Sequence, residues 1–235
     1  MESKTDARLY ERLYQSYKEH LSSERSLIFI EVGNTGASGG ESNAGCAQVD
    51  RLVKNLRDGG NVSVFGLTDW DGSRRSTSRV HVLSPEIRDG LESVLLDPVL
   101  LCAAAIRENM PFCRDKAIIE SEERYTDLGG WSGEKWQNIV DRLQAYVLDR
   151  DVKNDQRITI QYLNNMSLNI SKSYLHLDDH ALEERVLDKF GFFRPRNNNS
   201  GDLMKYIVST VLNDYPLLVP LDLLESFGSL LESDS

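Results

Sequence analysis

Two carboxylates, Asp69 and Asp71, follow directly on the apolar run Val62-Ser63-Val64-Phe65-Gly66-Leu67, in the segment Leu67-Thr68-Asp69-Trp70-Asp71-Gly72. A strand that stops there holds one carboxylate in place, and the bend beyond it brings the second toward the same point, which suits a divalent cation. A third acid, Glu31, ends the earlier apolar segment Leu27-Ile28-Phe29-Ile30 and leads into the glycine-rich stretch Gly33 to Gly40. Three crowded carboxylates raise one another's pKa values unless a cation neutralises them, so a hard, oxygen-seeking Mg²⁺ or Mn²⁺ is the expected cofactor. Phosphoryl transfer is the chemistry such a site serves. The structural alternative is a turn, since Asp71-Gly72 before Ser73 is a good turn signal.

These acids need elements to hold them. Leu9, Leu13, Tyr17 and Leu21 recur at helical spacing, so an amphipathic helix is expected from Asp6 to His20. A strand is expected over Leu27 to Val32, then a helix from Ala44 to Leu56 facing inward through Val49, Leu52, Val53 and Leu56 and stopped by Gly59-Gly60. Strands over Val62 to Leu67 and Arg79 to Leu83 follow. Strand, helix and strand with this spacing imply a parallel, right-handed βαβ unit and an α/β fold. Ligands of such sheets bind outside the carboxyl ends of the strands, where Glu31, Asp69 and Asp71 would stand.

Downstream, Pro85 opens a mostly helical stretch interrupted at Asp97-Pro98, and Val99 to Glu108 is apolar nearly all round, the mark of a buried helix. The composition changes near Asn109 to Lys116, so the domain boundary is placed at 110/111. Residues 111–235 form a mainly helical extension: helices over Glu134 to Leu148, Asp179 to Phe190, Leu203 to Leu212 and Leu221 to Leu231, strands at Ile158 to Tyr162 and Leu168 to Ile170, and a loop from Pro195 to Gly201. Asp178 or Asp179 caps the helix that begins there.

Composition bounds the function. At 235 residues, 40% hydrophobic and 27% charged, the chain has the make-up of an ordinary globular protein. No apolar run approaches the roughly 20 residues of a membrane helix, and the N-terminus lacks a signal-peptide core, so a cytoplasmic location is expected. Cys46, Cys102 and Cys113 are odd in number without C-x-x-C spacing, which argues for reduced thiols. A net charge of −10 excludes a broadly basic nucleic-acid-coating protein but not a local basic groove. Arg51, Lys54 and Arg57, or Arg74, Arg75 and Arg79 just after the acidic pair, would supply one, with solvated surface charge as the alternative.

A glutamate ending a first strand, a helix, and a strand ending in Asp69-Trp70-Asp71 together resemble the TOPRIM domain of topoisomerases, primases and OLD-family nucleases. The resemblance covers roughly residues 26–108. Arg88 to Pro98, an acidic residue followed by an apolar helix and proline, is similar to the segment after the Asp-x-Asp strand in OLD-like nucleases, many of which accompany ATPases in bacterial phage defence. The resemblance implies a metal-dependent DNA nuclease with Glu31, Asp69 and Asp71 as catalytic and metal-holding residues and Glu92 as a further ligand. It also implies an ATPase partner, as a separate chain or a preceding domain, and a homo-oligomer is expected. TOPRIM domains place glycine directly after the glutamate; here Val32 intervenes before Gly33, and the loop to Gly45 contains Glu41. Either Glu31 or Glu41 is then the general base. A lysine assists in such nucleases, and Lys189 and Lys205 are the candidates. His180 with Glu183 reads as a metal or acid–base pair, or as a surface residue near a helix start.

Two further readings stand beside this one. A TOPRIM-like module that binds a partner without cleaving, or cleaves only conditionally, would explain the displaced glycine. Asp69-Trp70-Asp71-Gly72 also resembles the nucleophile motif of haloacid dehalogenase-like phosphatases, although there the motif closes the first strand of the fold. The glycine loop lacks a Gly-Lys-Ser/Thr ending, so a P-loop is not expected.

Overall fold

Leu9, Tyr10, Leu13, Tyr14 and Tyr17 are buried along one face of the first helix, α1 (Lys4–Tyr17), as their helical spacing requires. The computed structural model describes residues 4–32, 34–35, 41–42, 45–196 and 202–233. The fold is α/β, and the chain divides into two compact units: Met1–Leu91 with Asp222–Ser235, and Glu92–Leu221. The composition change near residue 110 is therefore not where the compact units part; it falls inside a helix of the second unit.

In the first unit, β1 (Asn34–Thr35) and β2 (Glu41–Ser42) form a short antiparallel pair, and most of the glycine-rich bend from Gly33 to Gly45 lies outside the described residues, as does the Glu41 side chain. Helix α2 (Cys46–Asp58) buries Val49 and Val53 against Val80, with Val32 and Val64 packed on this cluster, while Leu56 is exposed. Two short strands, β3 (Gly66–Thr68) and β4 (Val80–Val82), pair in parallel, Leu67 opposite His81. Backbone bonds from Gly66 N–H to the Arg79 carbonyl and from Leu83 N–H to the Thr68 carbonyl, each 2.8 Å, extend the ladder at both ends.

The expected strand over Leu27 to Val32 does not form. Its apolar residues serve different ends: the Phe29 ring stacks on Tyr10 at 5.7 Å and tilts against Phe227 at 5.7 Å, while Ile28 and Ile30 are 82% and 69% exposed. A short continuous apolar run satisfies the strand pattern whether or not a neighbouring strand completes it. The parallel pair is therefore β3 with β4, and the βαβ unit expected from the first apolar run is replaced by a helix packed on one parallel pair.

The second unit opens in α3 (Leu91–Leu95), after which the Asp97 carboxylate caps α4 (Pro98–Asp115) by accepting the Val99 N–H at 2.9 Å. Residues Pro98 to Ile106 are buried all round, as the continuous apolar run predicts. The helix kinks at Asn109, which has φ −150° and ψ 70°, two residues before Pro111 removes a backbone donor. Helix α5 (Gly133–Leu148) starts at Ser132, whose hydroxyl accepts the Lys135 N–H, and packs on α4. An antiparallel pair, β5 (Arg157–Gln161) and β6 (Ser167–Ser171), lies against α5 with Ile158 opposite Ile170. Then come α6 (Lys172–Leu175), α7 (Asp179–Lys189) capped by Asp178, α8 (Asp202–Tyr206), one π-turn over Ile207–Val211, and α9 (Leu212–Asp214). The last helix, α10 (Leu221–Glu232), belongs to the first unit from Asp222 onward.

Gly66 is the contact point of α2 on the parallel pair. A Cβ there would meet Val49 Cγ1 at 2.6 Å and both Val80 γ-methyls at 3.2 Å. Gly66→Ala should therefore destabilise the first unit by about 1–3 kcal/mol through overpacking. Urea unfolding measures it; an unchanged midpoint would mean that the valines give way freely.

Candidate metal centre

Asp69 stands one residue past the C-terminal end of β3, half-buried, with Trp70 buried behind it and Asp71 exposed ahead of it. The Asp69 carboxylate accepts the Leu91 N–H at 3.2 Å, so the strand end is tied to the start of α3. Asp71 Oδ1 accepts three donors: the Ser73 N–H at 3.0 Å, the Ser73 hydroxyl at 3.0 Å and the Arg74 N–H at 2.7 Å. Gly72 makes this turn at φ +81°, a conformation that favours glycine. The turn weighed as the structural alternative at Asp-Gly is thus present, and it occupies one oxygen of Asp71. Backbone donation from Ser73, then from Arg74, holds the Asp71 carboxyl below its ordinary value.

Glu31 precedes Val32, which packs on the cluster of α2 and β4, so the first acid sits beside the framework that carries β3. Among the described residues, however, no set of three acid, histidine or cysteine ligand atoms within 4.8 Å of one another contains Glu31, Asp69 or Asp71. The three carboxylates do not form a preassembled cage. Their chemistry still fits a hard cation of the kind that keeps several waters and takes only one or two carboxylates plus substrate phosphates, the usual binding mode of Mg²⁺. Asp71 Oδ2 accepts no hydrogen bond among the described residues, which leaves it open to such an ion.

The basic residues after the pair differ from one another. Arg74 Nη2 is bonded to both Asp50 oxygens on α2, at 2.6 and 2.7 Å, so its charge is offset. Arg79 lies 5.1 Å over the Phe65 ring, and Arg75 is exposed. Lys54 and Arg51 are exposed on the outer face of α2.

Glu92 belongs to the second unit, where one of its oxygens lies within 4.8 Å of ligand atoms from Asp179 and His180 at the start of α7. Sequence reasoning named Glu92 and His180 separately and missed Asp179 as the residue that joins them. The signal lay in acids and a histidine clustered in the first turn of an expected helix. Carboxylates in that first turn are also stabilised by the helix dipole, and this accounts for them without an ion. Lys189 pairs with Asp149 and Lys205 with Asp202. No family model, curated protein or solved structure matches this chain.

The Asp71 turn makes a pH prediction. A carboxyl with a depressed folded pKa contributes stability above its unfolded value, about 3.9, and loses it as pH falls through the lower folded value. The Asp71 side-chain carbon followed by NMR should therefore titrate below an ordinary aspartate, and the Ser73 and Arg74 amide signals should shift with it. A midpoint at or above the ordinary value would mean that the turn does not hold the charge.

Proposed function

We propose that this chain is a metal-dependent nuclease of TOPRIM type that hydrolyses DNA phosphodiesters, with Asp69, Asp71 and Glu31 holding Mg²⁺ or Mn²⁺. The observation that carries the reading is Asp69 one residue past the carboxyl end of a parallel strand, with Asp71 two residues on, and Glu31 next to the valine cluster that supports the same strand pair. When bound, the ion polarises the phosphate and lowers the pKa of a coordinated water. Asp69 is held in place through the Leu91 N–H, and Asp71 offers Oδ2 while Oδ1 keeps the loop in its turn. Glu31 or Glu41 takes the proton of the attacking water. Arg75 meets the DNA phosphates, with Arg79 beside it, while Arg74 braces the acidic loop against α2. A four-carboxylate site completed by Glu92, an ATPase partner and an effector role in bacterial phage defence rest on the resemblance alone.

A second reading, a TOPRIM-like module that binds a partner without cutting, is favoured by the lack, among the described residues, of any three-ligand cluster that includes Glu31, Asp69 or Asp71. Plasmid cleavage with Mg²⁺ or Mn²⁺ separates the two. The nuclease predicts nicking or linearisation that falls at least tenfold in Asp69→Ala/Asp71→Ala, whereas equal cutting by both proteins would sink it. Calorimetric titration adds the second arm: Mn²⁺ binding lost in the double variant supports the nuclease, and no binding at millimolar Mn²⁺ supports the partner-binding module.

A further inference from the structure

Beyond β4 the chain turns at Ser84, which adopts φ +40°, a conformation that a residue other than glycine keeps only where its surroundings hold it. Three backbone bonds do so: the Ser84 N–H donates to the Ser226 hydroxyl at 3.1 Å, and the Ser84 carbonyl accepts the Ile87 and Arg88 N–H groups at 3.0 and 3.1 Å. The side chain is left out of this pattern. Ser84 is 2% exposed, yet its hydroxyl has no hydrogen-bond partner among the described residues. A buried hydroxyl without a partner costs free energy, so it marks a place where a polar group from outside is accommodated. It lines a cavity of about 470 Å³ between the end of β4 and α10, wholly within the first unit.

The donors around this cavity are already committed. The Ser226 hydroxyl gives its proton to the Asp222 carbonyl and the Ser229 hydroxyl to the Glu225 carbonyl, each at 2.9 Å. The Ser233 hydroxyl gives its proton to the Ser229 carbonyl at 2.7 Å, so His81 Nε2, 2.8 Å from that hydroxyl, is the donor to it and Nδ1 is the bare acceptor. Burial lowers the His81 pKa, which keeps the ring neutral at neutral pH. Of the two carboxylates, Asp222 is met by the buried Arg88, whereas Glu225 is exposed and in no ion pair among the described residues. No lysine or arginine lines the cavity, and Val82, Pro85 and Ile87 give it an apolar wall.

We propose that this cavity binds a short-chain primary amine in its ammonium form, with the head at Glu225 and the Ser84 hydroxyl and the chain along Val82, Pro85 and Ile87. The ammonium brings three donors and a positive charge to a lining of acceptors and one uncompensated carboxylate. An anion would find no cation in that lining. A metal ion would find no cage, since among the described residues no three-ligand set includes His81, Asp222 or Glu225.

The inference goes beyond the nuclease reading and needs neither metal nor DNA, and Glu31, Asp69 and Asp71 do not line the cavity, so either can fail alone. The test is calorimetric titration of the full chain with n-butylamine at neutral pH, beside 1-butanol and butyrate of the same chain length. Concentrations reach the millimolar range, because a ligand of so few atoms binds weakly. Butylamine should bind at a single site, and the alcohol and the carboxylate should not. Glu225→Gln keeps the shape and removes the charge; affinity should fall about tenfold, the worth of one hydrogen bond to a charged group. Ser84→Ala should weaken binding about threefold and leave the thermal midpoint of the free protein unchanged or raised, because the hydroxyl it removes makes no bond in the fold. A wild type that ignores butylamine, or binds butanol equally well, would overturn the proposal. Full affinity in both variants would overturn it too, by placing the amine elsewhere, and a lowered midpoint in Ser84→Ala would do so by showing that the hydroxyl already has a partner.

Discussion

A buried ion pair between Arg88 and Asp222 is the interaction on which the first unit depends. Arg88 is fully buried, and its Nε donates to Asp222 Oδ2 at 2.8 Å while Nη2 reaches Oδ1 at 3.4 Å. A buried charge without its partner costs on the order of 3–5 kcal/mol. The chain therefore closes on itself across 134 residues of sequence. That closure brings α10 into the first unit, and Phe227 on this helix then completes the aromatic cluster of Tyr10, Tyr14 and Phe29.

The same closure governs the candidate metal centre. Ser84 N–H donates to the Ser226 hydroxyl at 3.1 Å, Arg88 meets Asp222, and Leu91 N–H meets Asp69. One segment, Ser84 to Leu91, is thus pinned by α10 at one end and by the strand-end aspartate at the other. Asp69 owes its position to β3 on one side and to this segment on the other. Asp71 does not share the constraint: it is exposed and governed by its own local turn.

The second unit is organised on a different principle. Its core is α4, buried from Pro98 to Ile106, and three hydrogen bonds satisfy polar groups around it: Tyr162 donates to Asp97 and Tyr174 to the Leu96 carbonyl, while Gln144 accepts the Ser171 N–H. Tyr162 stands just past β5, Tyr174 lies in α6, and the Gln144–Ser171 bond joins α5 to β6, all around a helix that is apolar on every side from Pro98 to Ile106. Burial of the apolar helix comes first, and the hydroxyl and amide bonds around it satisfy groups that would otherwise cost about 1–3 kcal/mol each.

Much of the secondary structure was legible from local patterns alone. The 3.6-residue periodicity in α1 and α5, the Asp97-Pro98 start of α4, the Asp178 cap of α7 and the paired strands β5 and β6 depend on neighbours within a few residues, and those neighbours are in the sequence. The Asp69-Trp70-Asp71-Gly72 motif was legible in the same way, as a strand end running into a turn. What the sequence could not decide was which distant groups meet. Leu27 to Val32 has the short apolar run of a strand, but a strand needs a neighbour, and Phe29 packs into the aromatic cluster instead. Glu92 was visible as an acid on a helix, but its meeting with Asp179 and His180 spans more than 80 residues of chain. Residue type and spacing determined which side chains are able to bind an ion or form a turn. Only the tertiary structure decided their company, because long-range pairing is set by burial and ion pairing between segments that carry no record of each other in their local sequence.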